Sequence, residues 1–318
     1  GTVAGDTEQT NIAVRAAHRY GQPLFRYAVI TGGTENIPKN APIIFAANHE
    51  NALIDPLIMT TRLPKSIYYL VRSDVFKNII VRKFLNSLNL MPVYRIRDGV
   101  NSIQANKEIF RNCFEAFKKG YSLMMYPEAS HDIRRVERYA KKGISRIALG
   151  AMNVDNPPKE LYIVPMGVTY SAHKVFRSSV KVVYGKPIKV EHQEETKENI
   201  DALKDVYEAA VKPCYVSLDR DKFPVLDKVF FHDQSPKKMI EPSEVNPKGA
   251  ALLPHITEEI LEQFKTTTEA IEQEGLTFPF EKKTNYWWNG ILAILLAPIA
   301  LVGLIGNLPF LGLAAYIM

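Results

Sequence analysis

Short, nearly continuous apolar runs recur along the first two thirds of the chain. They are "APIIFAANH" (41–49), "SIYYLVRS" (66–73), "YSLMMYPE" (121–128), "LYIVPMGVTY" (161–170) and "SVKVVYGKPI" (179–188). Runs of this length without polar alternation fit strands covered on both faces, as parallel strands are. Between them apolar positions fall three and four apart. In "NSIQANKEIFRNCFEAFKKG" (101–120), Ile103, Ile109, Phe110, Cys113, Phe114 and Phe117 trace one helix face. Asn101 or Ser102 can cap its start, Lys118 and Lys119 suit its end, and Gly120 can close it. "ENIDALKDVYEAAVKP" (198–213) repeats the pattern through Ile200, Leu203, Val206, Ala210 and Val211. Strands alternating with helices predict an α/β fold: a mostly parallel central sheet flanked by helices.

The periodicity fades over residues 216–249, which are rich in Pro, Asp and Lys and read as an irregular excursion. A helix is expected over 256–275. From Tyr286 to Met318 there is no charged residue, and "GNLP" (306–309) divides the run into two apolar pieces. "YWW" follows "EKKTN", an aromatic and basic boundary of the kind found at the headgroup layer. We expect a C-terminal apolar, membrane-associated hairpin at 286–318, the alternative being a buried hairpin. The division is thus an N-terminal segment (1–25), helical or not native to the protein, an α/β domain (26–215), an excursion plus helix (216–285), and the apolar hairpin.

Composition narrows the classes. The 318 residues are 46% hydrophobic and 23% charged, enough for a substantial core. Lysine plus arginine number 40 against 34 acidic residues, a net +6 that favours an anionic partner. The basic residues are dispersed and no nucleic-acid-binding motif is present, so no nucleic acid is expected as partner. Cys113 and Cys214, the two cysteines, make neither a disulfide framework nor a zinc site and suit a reducing compartment. No metal and no cofactor is expected.

Four features fall at strand ends, where open α/β sheets gather ligands. The first is His49 with Asp55. A neutral imidazole can take a proton from a hydroxyl, and a carboxylate on its other nitrogen fixes the tautomer. With no "GxSxG" nucleophile, the attacking hydroxyl would come from a substrate. Six positions along a regular helix would turn Asp55 away from His49, so the pair can meet only across an irregular turn at Glu50 and Asn51. Otherwise His49 ends a strand and Asp55 caps a helix begun by Pro56. The second is "MPVYRIRDG" (91–99), where Arg95 and Arg97 would share one face of an extended segment. They suit phosphate oxygens or a solvated edge strand. The third is "YPEASHD" (126–132). Glu128 can orient a substrate hydroxyl or hold the turn, Ser130 follows it, and His131 is a second candidate base or a surface histidine. The fourth is "IVPMGV" (163–168), where Gly167 permits close backbone approach by an acyl chain or oxyanion, or marks a bulge.

The order and intervals of these blocks resemble the four motifs of the glycerolipid acyltransferases, which acylate glycerol 3-phosphate or lysophosphatidic acid. The resemblance covers roughly residues 26–190, and "KKGISRIALGA" (141–151) looks like that family's helix after its third motif. It implies His49 as catalytic base, Asp55 as its orienter, Arg95 on the acceptor phosphate, Glu128 in the acceptor pocket, and Gly167 near the acyl donor. The implied donor is acyl-CoA or acyl carrier protein, the acceptor a phosphorylated glycerolipid, and the location the cytoplasmic face of a membrane among its lipids. Two departures stand out. Five residues separate His49 from Asp55 where the usual motif has four, a spacing found in a branch that includes glycerol 3-phosphate acyltransferases. The third block reads "YPEASHD" where the family has close to "FPEGTR", with alanine for glycine and no arginine. His131, Lys141 or Lys142 would have to substitute, and the acceptor stays open. A non-catalytic, membrane-tethered protein holding an anionic lipid is the rival reading.

Overall fold

The structure, a computed structural model, describes residues 29–51, 54–62, 67–87, 89–93, 102–173, 178–231 and 240–273. Its centre is a mixed sheet of strands β1 (Val29–Gly32), β2 (Ile43–Ala47), β3 (Ile67–Arg72), β4 (Leu90–Val93), β5 (Ser122–Met125), β6 (Tyr162–Tyr170) and β7 (Val180–Tyr184), in the order β1-β7-β6-β2-β5-β3-β4, with β8 (Ile188–Lys189) against β6. Five neighbouring strands, β6, β2, β5, β3 and β4, run parallel. β7 and β8 run antiparallel to β6, and β1 follows β7. The expected α/β class with a mostly parallel sheet is what is observed.

The unbroken apolar runs have a direct cause. Ile44 and Ala46 of β2 enter one buried cluster, while Ile43, Phe45 and Ala47 enter another on the opposite face. The first cluster is roofed by α3 (Ser102–Lys118), α4 (Gly143–Met152) and α5 (Lys197–Val211), and the second includes Ile58 and Met59 of α1 (Ile54–Arg62). Both faces of the central strands are dry, so alternation has no place. α2 (Ile79–Ser87) covers the β3–β4 end. The edge strands β1 and β4 have only four residues each, and Pro92 sits in β4, where an edge tolerates it.

The stretch read as irregular is partly helical. α6 (Phe223–Phe231) and α7 (Pro242–Leu252) lie there, followed by α8 (Glu258–Gln273). They close a small core of Val216, Leu218, Leu226, Phe231 and Ile256. α8 is the helix expected over 256–275, whereas α6 and α7 are short, and Pro242 opens α7 at a first-turn position where proline fits, so a proline-rich window hid those two. The expected N-terminal segment and the hairpin at 286–318 lie outside the described residues. Among the described residues no helix is long and apolar enough to cross a membrane.

Strand order sets where the motif residues meet. The chain leaves β2 for β3 and β4, returns with β5 between β2 and β3, then places β6 on the other flank of β2. The carboxyl ends of β2, β5 and β6 therefore lie side by side, the crevice position of open α/β sheets.

Candidate active site

His49 stands two residues past β2, and Asp55 lies in the first turn of α1. His49 Nδ1 is 2.8 Å from Asp55 Oδ2. The turn bends as the five-residue spacing requires: Asn51 Oδ1 accepts the Ile54 N–H at 3.1 Å, and the Asp55 N–H reaches the Asn51 carbonyl at 3.3 Å. The carboxylate folds back over the turn and accepts the backbone N–H groups of Glu50 (3.0 Å) and Asn51 (2.9 Å). The Tyr170 hydroxyl, at the end of β6, donates to Asp55 Oδ1. These three partners are all donors, as an ionised carboxylate demands, so the imidazole carries its proton on Nδ1 and presents Nε2 as the basic nitrogen. Asp55 is fully buried, whereas the His49 side chain is 14% exposed and can be reached.

The segment after β5 holds the imidazole from the side. The Tyr126 ring stacks on His49 at 3.9 Å and 15°, and His131 meets it edge-on at 5.9 Å. The Asp132 N–H binds the His49 carbonyl at 3.0 Å. Glu128 Oε2 accepts the His49 backbone N–H at 3.3 Å and Arg138 Nη1 at 2.7 Å. Arg138 also donates to the Ser130 carbonyl (2.7 Å) and hydroxyl (2.5 Å). Burial pushes the Glu128 carboxyl up to about 7, against the pull of Arg138 and the His49 N–H and with help from Glu50 and Asp55. A small, open cleft adjoins this group, lined by Asn48, Glu128, Arg138, Tyr207, Lys212 and Tyr215 among others.

The structure thus brings together His49, Asp55, Glu128, Ser130 and His131. Arg95 and Arg97 lie outside the described residues. Gly167 is in β6, and a Cβ there would meet the Cys214 carbonyl oxygen at 1.9 Å. Its close approach is to the chain's own backbone, where the sequence suggested an acyl chain or oxyanion. The Lys141 N–H binds the Pro127 carbonyl, and the Lys142 ammonium pairs with Asp201 of α5. Among the described residues no cluster of three or more His, Cys, Asp or Glu could hold a metal ion.

Three contributors escaped the sequence reading. Arg138 lies ten residues past Glu128, and the basic "IRRVER" run (133–138) was its only local signal. Tyr126 needed the stacking to be seen. Tyr170 is 115 residues from Asp55, and only the β6–β2 pairing brings it there.

Fold and site together define a class: an α/β domain with a carboxylate-oriented imidazole at the carboxyl edge of its sheet. Residues 28–169 match the family model described as Acyltransferase. That match, over somewhat under half of the chain, agrees with the resemblance to the glycerolipid acyltransferases drawn from the four blocks. The chain is 23% identical over 269 residues to glycerol-3-phosphate O-acyltransferase 2 of Saccharomyces cerevisiae, covering 78% of this chain and 35% of that protein. It therefore spans about a third of that relative's length. Among solved structures, the 1-acyl-sn-glycerophosphate (LPA) acyltransferase PlsC of Thermotoga maritima aligns with a TM-score of 0.46 and 18% identity, over 63% of this chain and 78% of that one.

Proposed function

We propose that the chain is a membrane-associated O-acyltransferase that moves a fatty acyl group from a thioester to a hydroxyl of glycerol 3-phosphate or lysophosphatidic acid. The observation that carries the reading is the His49–Asp55 pair at 2.8 Å, on the carboxyl edge of the sheet within the segment that matches the Acyltransferase family model. His49 Nε2 takes the proton of the acceptor hydroxyl as its oxygen attacks the thioester carbonyl carbon. Asp55 steadies the imidazolium. The tetrahedral intermediate collapses, the carbon–sulfur bond breaks, and the imidazolium proton goes to the departing thiolate. No cofactor takes part; the donor, acyl-CoA or acyl carrier protein, is a co-substrate.

Arg95 is the phosphate ligand that the family pattern implies. Arg138, pinned on Glu128 beside the cleft, supplies the arginine that the third block lacks at its usual place. Its planar fork suits a phosphate monoester. The net positive charge and the apolar segment at 286–318 keep the protein at the cytoplasmic face of a membrane, where acceptor and product reside.

The test is thiol release from acyl-CoA or acyl carrier protein with a panel of acceptors, products identified by mass spectrometry. His49→Ala is expected to lower kcat by about 10²–10⁴. His131→Ala is expected to lower it far less. Retained transfer by His49→Ala overturns the reading.

A further inference from the structure

A second carboxylate–imidazole pair lies behind the first, and the acyl-transfer chemistry does not use it. Glu50 Oε2 is 2.5 Å from His173 Nε2, with the two side chains 4% and 6% exposed. Glu50 Oε1 accepts the Asn48 amide at 3.2 Å, and Asn48 in turn is bonded twice to the Val168 backbone in β6. His173 lies three residues past Tyr170, whose hydroxyl holds Asp55. The backbone of that segment is fixed from a third direction by Arg135, which donates to the Tyr170 and Ser171 carbonyls and pairs with Asp227. Burial pushes the Glu50 carboxyl well above its ordinary range, with Arg135 opposing and Asp55 adding.

A buried carboxyl here has a cost that an apolar residue would avoid. What offsets it is geometry. The Glu50 peptide N–H is one of the two backbone donors on Asp55 Oδ2. Anchoring the Glu50 side chain at both oxygens fixes the plane of that peptide, and with it the carboxylate that orients His49.

We propose that Glu50 and His173 are a positioning pair: His173 locks the Glu50 side chain, the Glu50 N–H holds Asp55, and Asp55 holds the His49 ring. The pair clamps the turn after β2 to the loop after β6, and neither member touches substrate. The inference rests on the catalytic reading of His49, but its primary test does not need activity.

The test uses the full chain in detergent with 15N-labelled histidine. In the wild type the His49 Nδ1–H is expected to give a downfield, exchange-protected proton signal, assigned by its loss in His49→Gln. Glu50→Ala and His173→Ala are expected to broaden or remove that signal and to lower kcat by about ten- to a hundredfold, as a small misplacement of a catalytic group does, with KM unchanged. Glu50→Gln and His173→Gln preserve a hydrogen bond at the same place and are expected to restore the signal and kcat to within about threefold of wild type. If an alanine variant fails to fold, the glutamine variants and the double variant Glu50→Gln/His173→Gln carry the comparison, and a lost signal in these overturns the proposal. An unaltered signal in a folded Glu50→Ala or His173→Ala also overturns it. Activity retained in His49→Ala would remove the catalytic reading and leave the positioning result standing.

Discussion

Replacing Asp55 by asparagine separates two roles that the carboxylate plays together. Oδ2 accepts from His49 Nδ1 and from the backbone N–H groups of Glu50 and Asn51, whereas Oδ1 accepts the Tyr170 hydroxyl. An asparagine in this site has one oxygen and one NH₂. Three donors converge on the Oδ2 position, so the amide oxygen belongs there. The NH₂ then faces the Tyr170 oxygen, which can rotate its own proton away and accept. The imidazole keeps its tautomer, and only the negative charge is lost. A hydrogen bond to a charged group contributes about 1.5–3 kcal/mol against about 0.5–1.5 for a neutral one. The transition-state imidazolium is then less stabilised by about 1–2 kcal/mol, a fall in kcat of roughly 5- to 30-fold with KM unchanged. The assay is thiol release at saturating donor and acceptor, with thermal unfolding to confirm an intact fold. A flipped amide would force the wrong tautomer and cost about 10⁴ in kcat. Either full wild-type kcat or a loss of that larger size refutes the reasoning, the first by removing the orienter and the second by showing that the backbone donors do not set the amide.

Ala129 sits at φ 61° in the turn after Glu128, so Ala129→Gly is expected to raise stability by about 0.5–1 kcal/mol, read from the denaturation midpoint. Gly167→Ala forces a Cβ to within 1.9 Å of the Cys214 carbonyl oxygen, and a loss of about 3 kcal/mol or more is expected in the same measurement. Glu128 binds its proton more tightly folded, at about 7, than at the ordinary 4.5, so its contribution to stability is complete below pH 4.5 and is lost as pH rises to about 7. Glu128→Gln lacks that loss, and its stability relative to wild type should grow by up to about 3 kcal/mol across the window in parallel urea titrations. Arg138→Ala is expected to raise the KM for a phosphorylated acceptor at least tenfold while sparing transfer to an unphosphorylated one, measured by competing the two acceptors.

Much of the site was legible because its parts are local. His49, Asp55 and Glu128 fall at the ends of apolar runs, and an apolar run buried on both faces is a strong strand signal. The condition that the turn at Glu50 and Asn51 be irregular was set by helix geometry, and the Asn51 cap meets it. The contributors from a distance were not legible. Tyr170 and His173 touch the first turn only because β6 pairs with β2, and pairing partners leave no trace in a single strand's composition. Gly167 shows the same limit: a glycine next to a close backbone approach looks alike whether a ligand or Cys214 comes near. The helices at 223–231 and 242–252 were hidden because their burial depends on each other, in a small core that no single window contains.

By itself, then, the sequence determined the α/β alternation, the two-sided burial of the central strands and which residues stand at their carboxyl ends, since hydrophobic period and turn residues act within a few positions. Only the tertiary structure decided that Asp55 turns back onto His49, that Arg138 takes up Glu128, and that Glu50 finds His173. Each of those contacts depends on the order of strands across the sheet or on the path of a loop over it, and a hydrogen bond a few tenths of an ångström too long does not form.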